Sequence, residues 1–149
     1  MTDLVLALAH HLLVFGLAGI IAAEAVLVRP GLTRAQLRLL GILDAHYGVL
    51  ALLILIVGFS RVYFGLRGPD FFLGNPWFWA KIACFAVVGI LSAPPTIKFI
   101  VWRRKARGDA RFEIPDAEVR TVRRFLTAEI AVFALIPLLA AAMVRVPSL

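Results

Sequence analysis

Four long apolar runs, separated by polar or glycine- and proline-rich stretches, divide the chain. The first, Leu4 to Val28, is about as long as a bilayer crossing requires, roughly 20 residues or more. Only Asp3 precedes it as a charge, so it lacks the basic head and short core of a secretory signal and reads as helix one. Pro30 and Gly31 end it. Thr33-Arg34-Ala35-Gln36 matches a capping box, with Gln36 reaching back to Thr33, so helix two starts early and runs to about Phe59. Ser60 to Gly74 reads as a connection, because Gly65, Gly68, Pro69 and Gly74 break a helix, while Tyr63, Phe64, Phe71 and Phe72 suit an interfacial position. Asn75 is a good N-cap and Pro76 suits a first helical position, so helix three opens there and reaches about Trp102. Pro94 and Pro95 are expected to kink it or expose its carbonyls. Ile114-Pro115-Asp116 restarts a helix, which becomes apolar near Phe125, runs to Val144 and is expected to bend at Pro137. The predicted helices, about 4–28, 33–59, 76–102 and 116–145, form one transmembrane domain over residues 1–149.

Composition agrees with this pattern. Hydrophobic residues make up 62% of the chain and the mean hydropathy is +0.93, too apolar for a soluble domain of 149 residues. The formal net charge of +7 reads first as topology and contact with anionic lipid headgroups, and the aromatic-plus-basic pattern of a nucleic-acid module is missing. Cys84 is the lone cysteine and lies within an apolar run, which excludes a disulfide framework.

Lysine and arginine set the orientation. Arg29, Arg34 and Arg38 follow helix one, and Lys98, Arg103, Arg104, Lys105, Arg107, Arg111, Arg120, Arg123 and Arg124 follow helix three. The other side holds only Arg61, Arg67, Lys81 and Arg145. The expected fold class is therefore all-α, an integral four-helix bundle of up-down topology in the bacterial inner membrane, with both termini periplasmic and both basic loops cytoplasmic.

That topology sorts the polar residues of the apolar runs into two layers. His10, His11, Lys81 and Arg61 fall in an outer layer, behind Trp77 and Trp79 at the boundary. Glu24, Asp44, His46, Tyr47, Thr96 and Glu129 fall in an inner one. His46 lies roughly 10–15 Å below the helix-one histidines, so one haem spanning both levels is not expected. Lys81 shares a stripe with Phe85, Ser92 and Thr96, which turns it inward; the plainer reading is that it snorkels past the tryptophans. His11 shares a face with Ala18, Ala22 and Ala25, whereas His10 shares one with Leu17, Ile21 and Glu24, and the pattern leaves open which histidine faces inside. A histidine there is either a hydrogen-bonding group of the bundle or a haem-iron ligand. Zinc is poorly served by three histidines at two depths and one thiol, and neither a serine-histidine-acid arrangement nor a phosphate-cradling glycine loop is present. Ion pairs of Glu24, Asp44, His46 and Glu129 with Arg38 and Arg124 are expected, because unpaired carboxylates at that depth are costly.

A helix-one histidine, an arginine-rich return and Trp79-Ala80-Lys81 at the head of helix three resemble the HemJ-type protoporphyrinogen oxidases. The resemblance implies a small four-helix protein holding haem b, with a helix-one histidine and the helix-three lysine important to it; here these are His10 or His11, and Lys81. A second resemblance covers more of the chain. His10-His11-Leu12, Asp44-Ala45-His46-Tyr47-Gly48, Gly58-Phe59-Ser60-Arg61-Val62, Phe78-Trp79-Ala80-Lys81, and Ser92-Ala93-Pro94-Pro95-Thr96 followed by Trp102-Arg103 are similar to an uncharacterised family of bacterial predicted membrane proteins. Together these readings point to haem b in the outer layer, with His10, His11 or Lys81 on the iron, Trp79 and Arg61 nearby, and a redox role, electron transfer before tetrapyrrole oxidation. The alternatives are a membrane protein whose polar residues only fix helix packing, and a transporter or proton path through Glu24, His46 and Glu129, which four helices would need a homodimer to build.

Overall fold

The computed structural model describes residues 1–109 and 111–145. Its elements are α1 (Thr2–Leu27), α2 (Arg34–Phe64), α3 (Gly68–Leu73), α4 (Pro76–Gly108) and α5 (Asp116–Arg145). Four of them are long and apolar enough to span a membrane. Only 11–22% of the most apolar window of each is buried inside the molecule, so much apolar surface stays partly or fully open, as lipid allows and water would not tolerate.

The helix starts are set by local chemistry. At α2 the Thr33 hydroxyl accepts from the Gln36 amide at 3.3 Å while the Gln36 side chain accepts from the Thr33 amide at 2.9 Å, which satisfies two otherwise free donors. At α4 the Asn75 side chain accepts from the Trp77 amide at 2.9 Å and Pro76 needs no partner.

Three stretches depart from the expected pattern. α2 runs on to Phe64, beyond Phe59. The connection after it is not helix-free: Gly68 to Leu73 make a short helix, with Pro69 in the first turn, where its missing N–H costs nothing. α4 continues to Gly108, beyond Trp102, as one helix that contains Pro94 and Pro95. Its last turns carry exposed Arg104, Lys105 and Arg107, while Ala106 packs against the core. Prolines inside a membrane helix are tolerated because neighbouring helices surround the freed carbonyls. α5 likewise contains Pro137 within one continuous helix.

Helix α1 packs along α2 and α4 along α5, with further contact between α2 and α4 and between α1 and α5. Opposed residues fix the register. The Leu66 amide donates to the Asp3 carboxylate at 3.3 Å, a Cβ at Gly58 would approach His10, and one at Gly16 would approach Leu50. Across the hairpins, the Thr96 hydroxyl donates to Asp44 at 2.5 Å and Arg123 donates to the Val28 carbonyl oxygen at 2.7 Å. The core is in three clusters along the bundle: Val62, Phe78 and Met143 near α3; Leu17, Ile21, Tyr47 and Ile54 in the middle; and Leu40, Phe99, Trp102, Val122 and Leu126 among those at the basic end.

Candidate functional site

All four long helices contribute to one recess at the level of His10. His10 and Val14 come from α1, Gly58 and Phe59 from α2, Phe78, Lys81 and Phe85 from α4, and Phe133 from α5. It is a partly open cavity of about 60 Å³. The mouth opens on the apolar surface, since Leu55 and Phe59 line the recess and are also exposed.

The two helix-one histidines part company here. His10 turns into the recess, where its buried Nδ1 has no hydrogen-bond partner. Gly58 of α2 lies beside the ring, where a Cβ would come into van der Waals contact, 3.4 Å from His10 Cε1. His11 is exposed, and its Nδ1 sits 2.6 Å from the Ala7 carbonyl oxygen of its own helix. Lys81 also lines the recess, with its ammonium 5.3 Å from the centre of the Phe78 ring. Arg61 is half-buried with an unpartnered Nε, near enough to His10 and Lys81 to act on both through its charge. Trp79 points away: it is 51% exposed, and its indole nitrogen donates to the Leu73 carbonyl oxygen at 2.9 Å.

The inner polar residues divide in the same way. Glu24 and Glu129 are 3% and 1% exposed, and each has a buried oxygen, Oε1, without a partner. Tyr47 is buried beside them and reaches Ser92 and Glu129. Asp44 is held by Thr96. His46 does not join this group: it is exposed on the far face of α2, and its Nδ1 lies 2.7 Å from the Ile42 carbonyl oxygen. The expected ion pairs with Arg38 and Arg124 do not form. Among the described residues the one ion pair joins Lys98 to Glu118 at 2.9 Å. Arg124 is exposed and Arg38 turns to a separate cavity, so neither reaches the buried carboxylates. No group of three or more histidine, cysteine or carboxylate side chains that could hold a metal ion occurs among the described residues.

The periodicity of single helices missed Gly58 and Phe133, which matter because of what they face. Gly58 did stand in one of the stretches that carry the family resemblance.

Four apolar spanning helices, with polar side chains confined to a recess and a buried layer, define a small helical membrane protein. The chain belongs to the family described as Predicted membrane protein (DUF2214), whose family model matches residues 2–146. No curated protein and no solved structure matches it.

Proposed function

We propose that the recess is a haem b site and that the protein has a redox role, electron transfer first and HemJ-like chemistry second. The observation that carries this reading is the buried, unpartnered Nδ1 of His10 in an aromatic-walled recess that Lys81 also lines. Buried polar groups ordinarily find partners, so an imidazole nitrogen left free marks a place for a ligand. The donor set fits haem. Imidazole is a common ligand of haem iron, and the Lys81 and Arg61 cations suit carboxylates such as propionates. Phe78, Phe85 and Phe133 supply apolar walls for a flat ring. The cavity of about 60 Å³ lies far below the ordinary range of cofactor sites, roughly 300–1,000 Å³, so a macrocycle enters only if the side chains at its open side move apart. Bound haem supplies a one-electron couple. This chain's residues hold and tune it: His10 from α1, Lys81 either as a second nitrogen ligand or as a cation for a carboxylate, and the aromatic walls by excluding water.

The test is colour. Protein purified in mild detergent from haem-replete cells is expected to give a Soret band and, on reduction, α and β bands. His10→Ala should lose them and His11→Ala should keep them. A colourless wild-type preparation overturns the proposal.

We infer the orientation from charge. The arginine-rich stretches after α1 and after α4 support a reading with both in the cytoplasm of a bacterial inner membrane, the helices up and down and both termini outside. A reporter active only in the cytoplasm, fused after Leu149, is expected to be silent; strong signal reverses the orientation.

A second reading rests on a different observation, the two buried carboxylates of Glu24 and Glu129 without cation partners. They suit a proton path through the middle of the bundle, without His46. Protein reconstituted in vesicles with an internal pH dye is then expected to pass protons, and Glu129→Gln to stop this. Proton flux equal in wild type and variant removes the reading.

A further inference from the structure

At the basic end of the bundle, away from the recess, Arg34 and Arg38 of α2 and Arg103 and Arg107 of α4 line one cavity of about 420 Å³. Ile42 and Ala106 complete its walls, and no carboxylate lines it. Two of the four arginines are placed by specific contacts. Arg34 donates to the Asp109 carbonyl oxygen at 2.7 Å, which ties the first turn of α2 to the end of α4 and occupies one of its five N–H groups. The Arg103 side chain lies against the bare backbone of Gly41, where a Cβ would overlap its Nη1, Cζ and Cδ. Gly41 is buried and its φ is not positive, so a helix former would serve there but for this contact.

Four guanidinium groups around one cavity repel each other. Among the described residues none of them has a carboxylate within ion-pair distance, the one ion pair being Lys98–Glu118. An anion in the cavity relieves that repulsion. Guanidinium forks match the paired oxygens of a phosphate, and several of them suit its higher charge better than that of a lone carboxylate. The apolar Ile42 and Ala106, beside the ends of two spanning helices, suit a group that arrives on a lipid. We propose that Arg34, Arg38, Arg103 and Arg107 form a binding site for a phosphate group, offered either by an anionic phospholipid headgroup or as a free phosphate. The site is independent of the recess.

The test is ligand-dependent thermal stability of the purified full chain in detergent at constant ionic strength. The probes are phosphatidylglycerol, phosphatidylcholine and inorganic phosphate. Phosphatidylglycerol is expected to raise the unfolding midpoint saturably, with phosphatidylcholine inert. Arg38→Gln and Arg103→Gln should each weaken the apparent affinity roughly fivefold. Gly41→Ala removes no charge but displaces the Arg103 side chain, and it should weaken binding as well. A rise with phosphatidylglycerol alone identifies the headgroup as the source, and an equal rise with inorganic phosphate identifies a soluble anion. Two results overturn the proposal: no shift with either phosphate probe, or the same shift in wild type, both glutamine variants and Gly41→Ala.

Discussion

Buried Asn75 donates from its side-chain nitrogen to the Met143 carbonyl oxygen, 3.2 Å away, and so fastens the head of α4 to the last turns of α5. The same side chain caps α4 through the Trp77 amide. Asn75→Ala loses both roles and is expected to cost about 1–3 kcal/mol. Asn75→Ser keeps a cap but is too short for Met143, and should cost about 1 kcal/mol. Chemical unfolding in detergent measures both; a serine variant as stable as wild type would show that the tie to α5 contributes nothing.

Glu118 accepts from the Trp102 indole at 2.7 Å and from Lys98 at 2.9 Å through one oxygen. The two donors differ in consequence. Trp102 is fully buried, so Glu118→Ala strands its N–H and should cost about 1–3 kcal/mol. The Lys98–Glu118 pair is 39% and 29% exposed at its side chains, so Lys98→Ala should cost under about 1 kcal/mol. The reverse order of these losses in unfolding measurements contradicts the assignment.

In the recess, Gly58→Val brings a branched side chain against His10. Haem content is expected to fall severalfold, with the helical circular dichroism signal unchanged. Lys81 has two possible roles, which its variants separate. If it ligates iron, Lys81→Arg and Lys81→Ala both change the spin state, because arginine stays charged. If it pairs with a propionate, only the alanine variant weakens binding. Wild-type spectra at full occupancy in both variants would leave Lys81 without a role in the site.

Glu24 and Glu129 have no cation partner among the described residues, so their charge stabilises nothing that glutamine would lose. Glu24→Gln and Glu129→Gln are expected to leave the unfolding midpoint unchanged or slightly higher. Glu129→Lys puts a cation at a site 1% exposed and should lower it by several degrees, of the order set by a few kcal/mol. A large loss in the glutamine variants would reveal a charged partner.

The helices themselves could be read from the chain because the apolar runs have bilayer length and because caps are local. Thr33 with Gln36, and Asn75 with Pro76, need only their own few residues. The short helix at Gly68–Leu73 was concealed by its glycines, although Pro69 is as acceptable at a first turn as it is disruptive later. The choice between His10 and His11 could not be made from helix one. It depends on what the other helices place opposite, such as Gly58, 48 positions away beside the His10 ring. His46 misled for a related reason: its neighbours Asp44 and Tyr47 turn inward, while at 100° per residue its own direction is outward. The arginine cavity was legible only as a signal of topology and of anionic-lipid contact, since sequence shows the charges but not that two helices close them around a space.

The recess opens between Leu55 and Phe59, on the side of the molecule that meets hydrocarbon. Whatever occupies it therefore arrives by partitioning. Its effective concentration is its mole fraction in the surrounding lipid or micelle, and diluting the aqueous phase leaves occupancy nearly constant. Titrations in detergent should collapse onto one curve when plotted against ligand per detergent, and should scatter when plotted against ligand per litre.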